Sequence, residues 1–277
     1  MSDTSVEPTK GNLPVTAAEM GFDSGLEDFE TTDMVMPRLS IRHEDAVFVD
    51  TLTGEEHPKL QVVMLGLIKQ RILWDTDVNE GDRPLCKSYN FKEGVPNEAT
   101  FPLGASGFDE LPTAGNTLPC DACSLKEWGS HPQRDTPWCS EQHTFPLLMR
   151  AGDEEKFSAP AILTVQRSAI KASKSYLTGF ARSNTPVFTV ITELSLDPQK
   201  KGSVKYAVPR FVKVGPTDRD EWSDYAGNYR QIRSFIQAPP PEQDESATQD
   251  ASDTPRASNA GASETSAAVA DDDDLPF

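Results

Sequence analysis

The chain has 277 residues, 36% of them hydrophobic, and carries a formal net charge of −18. That apolar content supports one sizeable core or two small ones and excludes a wholly disordered chain. Taken as a single number, the charge argues against a nucleic-acid partner, because a polyanion repels phosphates.

The acids are unevenly placed. Residues 1–33 hold eight acids and one Lys, residues 238–277 hold ten acids and one Arg, and the body between them is close to neutral at 26 acids against 24 bases. The first of these stretches reads as a disordered acidic arm, and Met34 to Pro37 mark the entry to the fold. "RLSIRHEDAVFVD" and "KLQVVMLGLIKQRILW", joined across "TGEE", then read as two β-rich segments. The span from Val78 to Gln142 is rich in Pro, Gly and Asn and contains every cysteine. Strand patterns resume at "TFPLLMR" and "APAILTVQ", and "RSAIKASKSYLTGF" has the spacing of a helix.

"PVFTVITELSL" and "SVKYAVPRFVKVG" read as a hairpin turning over Asp197 to Gly202. "TDRDEWSDYAGNYRQIRSFI" reads as a last helix capped by Thr217 or Asp218. From Ala238 the composition is Pro, Ala, Ser, Thr, Asp and Glu without an aromatic, which predicts a disordered linker. Its 33 residues to Ala270 would reach about 30 Å as a flexible coil. The expected fold is mainly β with two helices (α+β). The element order suggests an OB-like five-stranded barrel over 34–237 with the cysteine-rich stretch 78–142 inserted before its third strand, and a generic α+β domain is the alternative. The longest apolar run, Val62 to Ile68, is far short of the ~18 residues of a membrane span, and the polar start predicts no leader, so the expected place is the cytoplasm.

Cys86, Cys120, Cys123 and Cys139 follow the spacing C-x33-C-x2-C-x15-C. The Cys120-x-x-Cys123 pair can present two thiolates to one tetrahedral Zn2+, and Cys86 and Cys139 could complete a closed, structural site. His131 or His143 could replace one thiolate, and four unconnected buried thiols are the alternative. Such a metal would supply a core to a stretch that shows none in its sequence. The remaining chemistry argues against an enzyme. There is no phosphate-cradling loop, H-E-x-x-H, G-x-S-x-G or dinucleotide fingerprint, and the histidines at 43, 57, 131 and 143 stand in polar, turn-like contexts that suggest surface positions.

Residues 160–217 are different: nine bases stand against Glu193 and Asp197. Arg167, Lys171, Lys174, Arg182, Lys205, Arg210 and Lys213 are interleaved with Tyr176, Tyr206 and Phe211. Rings that stack on unpaired bases and cations that hold phosphates are the chemistry of sequence-tolerant single-strand binding. An ordinary core and an ordinary solvated face are the alternative reading. Strand alternation sends Tyr206 and Phe211 to opposite faces unless Pro209 marks a bulge.

The sequence closes on "DDDDLPF", residues Asp271 to Phe277. This ending resembles the acidic tip of bacterial and phage single-stranded DNA-binding proteins, in which a disordered linker ends in several Asp, an apolar-Pro pair and Phe. The resemblance covers those seven residues closely and the linker by composition, and does not extend to the body. It implies a non-enzymatic protein that coats and protects unwound DNA in phage or cellular replication, recombination or repair, placed in the host cytoplasm if phage-encoded. It also implies capture of polymerase, helicase or primase by Asp271, Asp272, Asp273, Asp274, Leu275, Pro276 and Phe277. A solubilising acidic end is the plain alternative for the tip. A zinc-containing adaptor at the fork that does not itself bind DNA is the alternative for the whole.

Overall fold

The computed structural model of the chain describes residues 35–77, 83–111, 117–150, 156–202 and 204–237. The expected acidic arm and the linker with its tip lie outside the described residues. The chain divides into two units after Met36, and all that follows concerns the unit from Pro37 onward.

β1 (Arg38–Arg42) and β2 (Val47–Asp50) form an antiparallel hairpin where the sequence suggested a single segment. Asp50 closes the next turn: its Oδ1 accepts from the backbone N–H of Leu52 and Thr53 at 2.8 and 3.2 Å, with Gly54 at φ +74° before β3 (Glu56–His57). β4 (Lys59–Met64) and β5 (Ile68–Leu73) follow each other closely, and both pair with β9 (Cys139–Arg150). Met64 stands opposite Leu147 and Ile68 opposite Thr144, so β9 changes partner around Pro146. Proline has no N–H to offer there, and its carbonyl accepts from Leu65 N at 2.9 Å, which closes the gap.

The other edge of β9 pairs antiparallel with β10 (Phe157–Gln166), and β1 joins β10 in parallel. With neighbours on both edges and both faces covered, β9 is buried without a break from Gln142 to Leu148. β6 (Cys86–Ser88), β7 (Glu93–Pro96) and β8 (Leu118–Pro119) extend the sheet from β5, so part of the cysteine-rich stretch is sheet rather than loop. The long hairpin of β11 (Val190–Lys201) and β12 (Val204–Pro216) docks through β11 onto β4.

The sheet is not closed: its path runs β3-β2-β1-β10-β9-β5-β6-β7-β8, with β4, β11 and β12 branching from β9. The fold is therefore mainly β with three helices among the described residues. These are the single turn α1 (Leu103–Ser106), and α2 (Ser168–Ser183) and α3 (Trp222–Gln237) where helices were expected. Asp218 opens the approach to α3, its Oδ1 accepting from Asp220 N at 3.0 Å.

The β11–β12 hairpin turns at Gly202, φ +57°, not across Asp197 to Gly202 as expected. Pro198 and Pro209 are tolerated because, among the described residues, no strand pairs with their outer edges: β4 pairs with β11 only as far as Ser195, short of Pro198, and β12 pairs with β11 alone. Pro209 accordingly makes no bulge; the register shifts at Ile191/Thr192 instead.

Two apolar clusters stand out among the described residues. One joins Phe48, Val62, Met64, Phe145, Leu147, Leu163 and Leu194 to Ala169 and Phe180 of α2. The second gathers Leu73, Leu85, Phe101, Leu118 and Leu125 under the cysteine-rich stretch. Each such Leu or Phe contributes about 1.5–3 kcal/mol by leaving water. α3 covers the break between β4 and β5. Tyr229 donates to Leu67 O at 3.2 Å, and its ring lies so close over Gly66 that a side chain there would collide with it. Gly66→Ala is expected to cost about 1–3 kcal/mol, read as a lower urea midpoint; an unchanged midpoint would show that α3 does not press on the break.

Candidate nucleic-acid interface

α2 is amphipathic. Ala169, Ile170, Ser173 and Phe180 turn to the core with Tyr176 and Leu177 partly buried beside them, while Lys171, Lys174 and Arg182 are exposed. Arg182 lies in the last turn, where a cation suits the negative end of the helix dipole. β12 alternates as strand geometry requires: Ala207, Pro209 and Phe211 share the inward face, and Tyr206 and Arg210 the opposite one.

The rings on the inward side use one another. Tyr176 and Phe211 stack with centroids 5.5 Å apart and 25° between planes, Tyr176 meets Phe180 edge-on at 5.2 Å, and Phe211 lies 5.9 Å from Phe145. The Tyr176 hydroxyl is 2.6 Å from Thr192 Oγ1, and Lys213 Nζ stands 3.8 Å over the Phe180 ring. Tyr176 and Phe211 thus serve as the packing between α2 and the hairpin, which leaves little of either ring for an unpaired base.

The candidate residues separate accordingly. Lys171, Lys174, Arg182, Lys205 and Lys213 belong to α2 or to the strand face it covers. Tyr206 and Arg210 belong to the other face. Arg167 precedes α2 at φ +50° and lies near His131; burial, Arg134 and Arg167 together lower the His131 pKa. Arg167, Lys171, Arg182, Lys205, Arg210 and Lys213 are all exposed and, among the described residues, form no ion pair. Of the two carboxylates in this part of the chain, Glu193 is bridged by Lys59 at 2.8 Å. The positive field is therefore not neutralised locally.

One polar group was missed in the sequence. His143 is not a surface residue: it is 0% exposed on β9, with Nε2 2.9 Å from Glu141 Oε1 and Nδ1 3.0 Å from Ser173 Oγ. The ring donates from Nε2 to the carboxylate. Lys69 and Lys174 approach the same Glu141 oxygen at 3.7 and 3.5 Å. Burial lowers the His143 pKa against the pull of Glu141. Burial opposes the charge on Glu141, yet its bond to His143 and the two lysines keep that carboxyl below its ordinary range. The group straps α2 to the sheet. The place of His143 on the same face of β9 as Phe145 and Leu147, two and four residues on, was the available signal.

The expected zinc site is corrected. Among the described residues no group of three or more His, Cys, Asp or Glu side chains is placed to hold a metal ion, and Cys86, Cys120, Cys123 and Cys139 are free thiols. His131 packs against Trp138, and His143 is committed to its strap, so neither supplies a ligand. The stretch has a core of its own without a metal, from Leu85, Phe101, Leu118 and Leu125. The thiols line a small cavity of about 20 Å³ beside Leu73 and Gly94. Burial raises the pKa of all four, Cys139 to about 12, so they pack there as neutral, small hydrophobes.

No family model matches this chain, and no curated protein or solved structure matches it either. Among the described residues no helix is long and apolar enough to cross a membrane.

The buried imidazole has a consequence for stability. His143 binds its proton less readily in the fold than the ordinary value of 6.5, so the unfolded chain takes up more protons as pH falls below that value. Stability is therefore complete above about pH 7 and declines toward pH 5, with the Glu141 carboxyl adding to the loss at lower pH. His143→Gln should flatten the dependence of the urea midpoint between pH 7.5 and 5.5; an unaltered slope would place the sensitivity elsewhere.

Proposed function

We propose that this chain binds single-stranded DNA without sequence preference, coats and protects unwound strands, and recruits replication, recombination or repair proteins through Asp271 to Phe277. The observation that carries the reading is the set of exposed, unpaired cations on α2, on β12 and at Arg167, in a chain whose net charge is −18. Lys171, Arg182, Lys205 and Lys213, on α2 or the strand face it covers, form no ion pair among the described residues, which suits a polyanion, while Arg210 stands on the opposite face of β12. The acids of residues 1–33 and 238–277 account for most of the negative charge and are separate in sequence from that surface. With a Debye length of about 10 Å at 0.1 M salt, charges beyond that range do not cancel its field.

We further propose an OB-like reading of this open sheet. It is supported by β9, which pairs with both halves of the bent β4–β5 segment, and by a helix that follows β10 and packs under the hairpin. The partner-binding role of the tip is supported by its resemblance to the acidic tips of single-strand binders. Its apolar Leu275 and Phe277 suit a pocket, and Asp271 to Asp274 suit a basic rim.

A titration of the full chain against labelled oligo(dT) and duplex of equal length, at several salt concentrations, tests the reading. It should show preference for the single strand and an affinity that falls steeply with salt, and Lys171→Ala and Lys213→Ala should each lower the salt slope by about one. Removing residues 271–277 should leave the affinity unchanged or tighter and abolish capture of polymerase, helicase or primase. Equal affinity for duplex, or indifference to salt, would defeat the proposal.

A further inference from the structure

The packing of Tyr176 and Phe211 leaves the proposed interface in need of a ring. One stands on the turn between β6 and β7. Phe91 has φ +69°, in the left-handed region that a side chain with a Cβ disfavours. Asn90 holds it there, its Oδ1 accepting from the backbone N–H of Lys92 at 2.9 Å and of Glu93 at 2.8 Å. A short turn residue such as Asn or Gly would serve this backbone better, and the ring belongs to neither apolar cluster described above.

The ring is instead placed among cations. Arg71 Cζ lies 4.4 Å from its centroid and Lys69 Nζ 5.3 Å, both from β5, and Phe91 remains half-buried. Lys69 shares Glu141 with Lys174 of α2. Lys69 thus stands both beside the ring and at Glu141, where it meets Lys174, and Lys174 continues this surface onto the exposed face of α2.

We infer that Phe91 is a base-stacking residue for an unpaired strand, with Arg71 backing the ring and Lys69 and Lys174 receiving the flanking phosphates. The inference rests on the proposed single-strand binding and relocates its ring contact from Tyr176 and Phe211 to the β6–β7 turn. Stacking is indifferent to base identity because every base has a π-face, whereas the lysines need only the phosphates.

The test compares wild type, Phe91→Gly and Lys69→Gln in the full chain, binding oligo(dT) and an abasic strand of equal length. Glycine accepts the left-handed φ, so Phe91→Gly should melt no lower than wild type, and a thermal scan separates loss of the ring from loss of the fold. Phe91→Gly should weaken oligo(dT) binding about ten-fold and leave abasic binding unchanged. Lys69→Gln should weaken both strands alike and lower the salt slope by about one. Wild type that binds oligo(dT) together with a folded Phe91→Gly that binds it equally well would overturn the inference and leave single-strand binding intact. A ten-fold loss on both strands would also overturn it, by assigning the effect to charge or shape. Wild type that binds no single strand would remove both.

Discussion

The structure depends on β9 being paired along both edges. One edge carries β10, the other carries β5 and then β4, and the exchange at Pro146 is possible because that residue has no donor to leave unsatisfied. Phe145 and Leu147 at 0% exposure give this strand its packing on the larger core, which α2 completes with Ala169 and Phe180. The N-terminal end of the same strand carries Glu141 and His143, which strap α2 at a set position, and Cys139, which packs against the second core. The location of the cationic helix face is thus a consequence of how one strand is held.

Much of this was legible. "TFPLL" is a nearly continuous apolar run, which is what a strand buried on both faces requires; α2 showed its apolar spacing and α3 its capped, acidic start. The alternation along β12 correctly separated Phe211 from Tyr206. The second core was not legible, because Leu85, Phe101, Leu118 and Leu125 come from short strands and turns with no common period. Four cysteines in a stretch without visible periodicity invited a metal, while the free thiols fill a corner of that core. His143 was misplaced because a buried imidazole is paid for by partners from Glu141 and Ser173, and the latter lies 30 residues away on α2.

The same limit applied to the rings. A sequence lists Tyr176 and Phe211 next to lysines but cannot say that they face each other across the α2–β12 contact. Phe91 carried no pattern at all beyond the preceding Asn90, because its left-handed backbone and its cation neighbours come from a turn folding back over β5. The electrostatic account keeps two kinds of charge apart. Lys59 is tied to Glu193 at 2.8 Å, whereas Lys69 and Lys174 share the single carboxylate of Glu141 at 3.7 and 3.5 Å, and the cations along the outer surface of α2 and at the ends of β12 are left open to an external anion.

The most direct measurement is a lysine footprint. The full chain is acetylated with and without saturating oligo(dT), and protection is read at each lysine. The account predicts protection at Lys69, Lys171, Lys174 and Lys213 and none at Lys59, which stands on the other face in its pair with Glu193. Protection confined to Lys59 and its neighbours, or no protection anywhere, would contradict it.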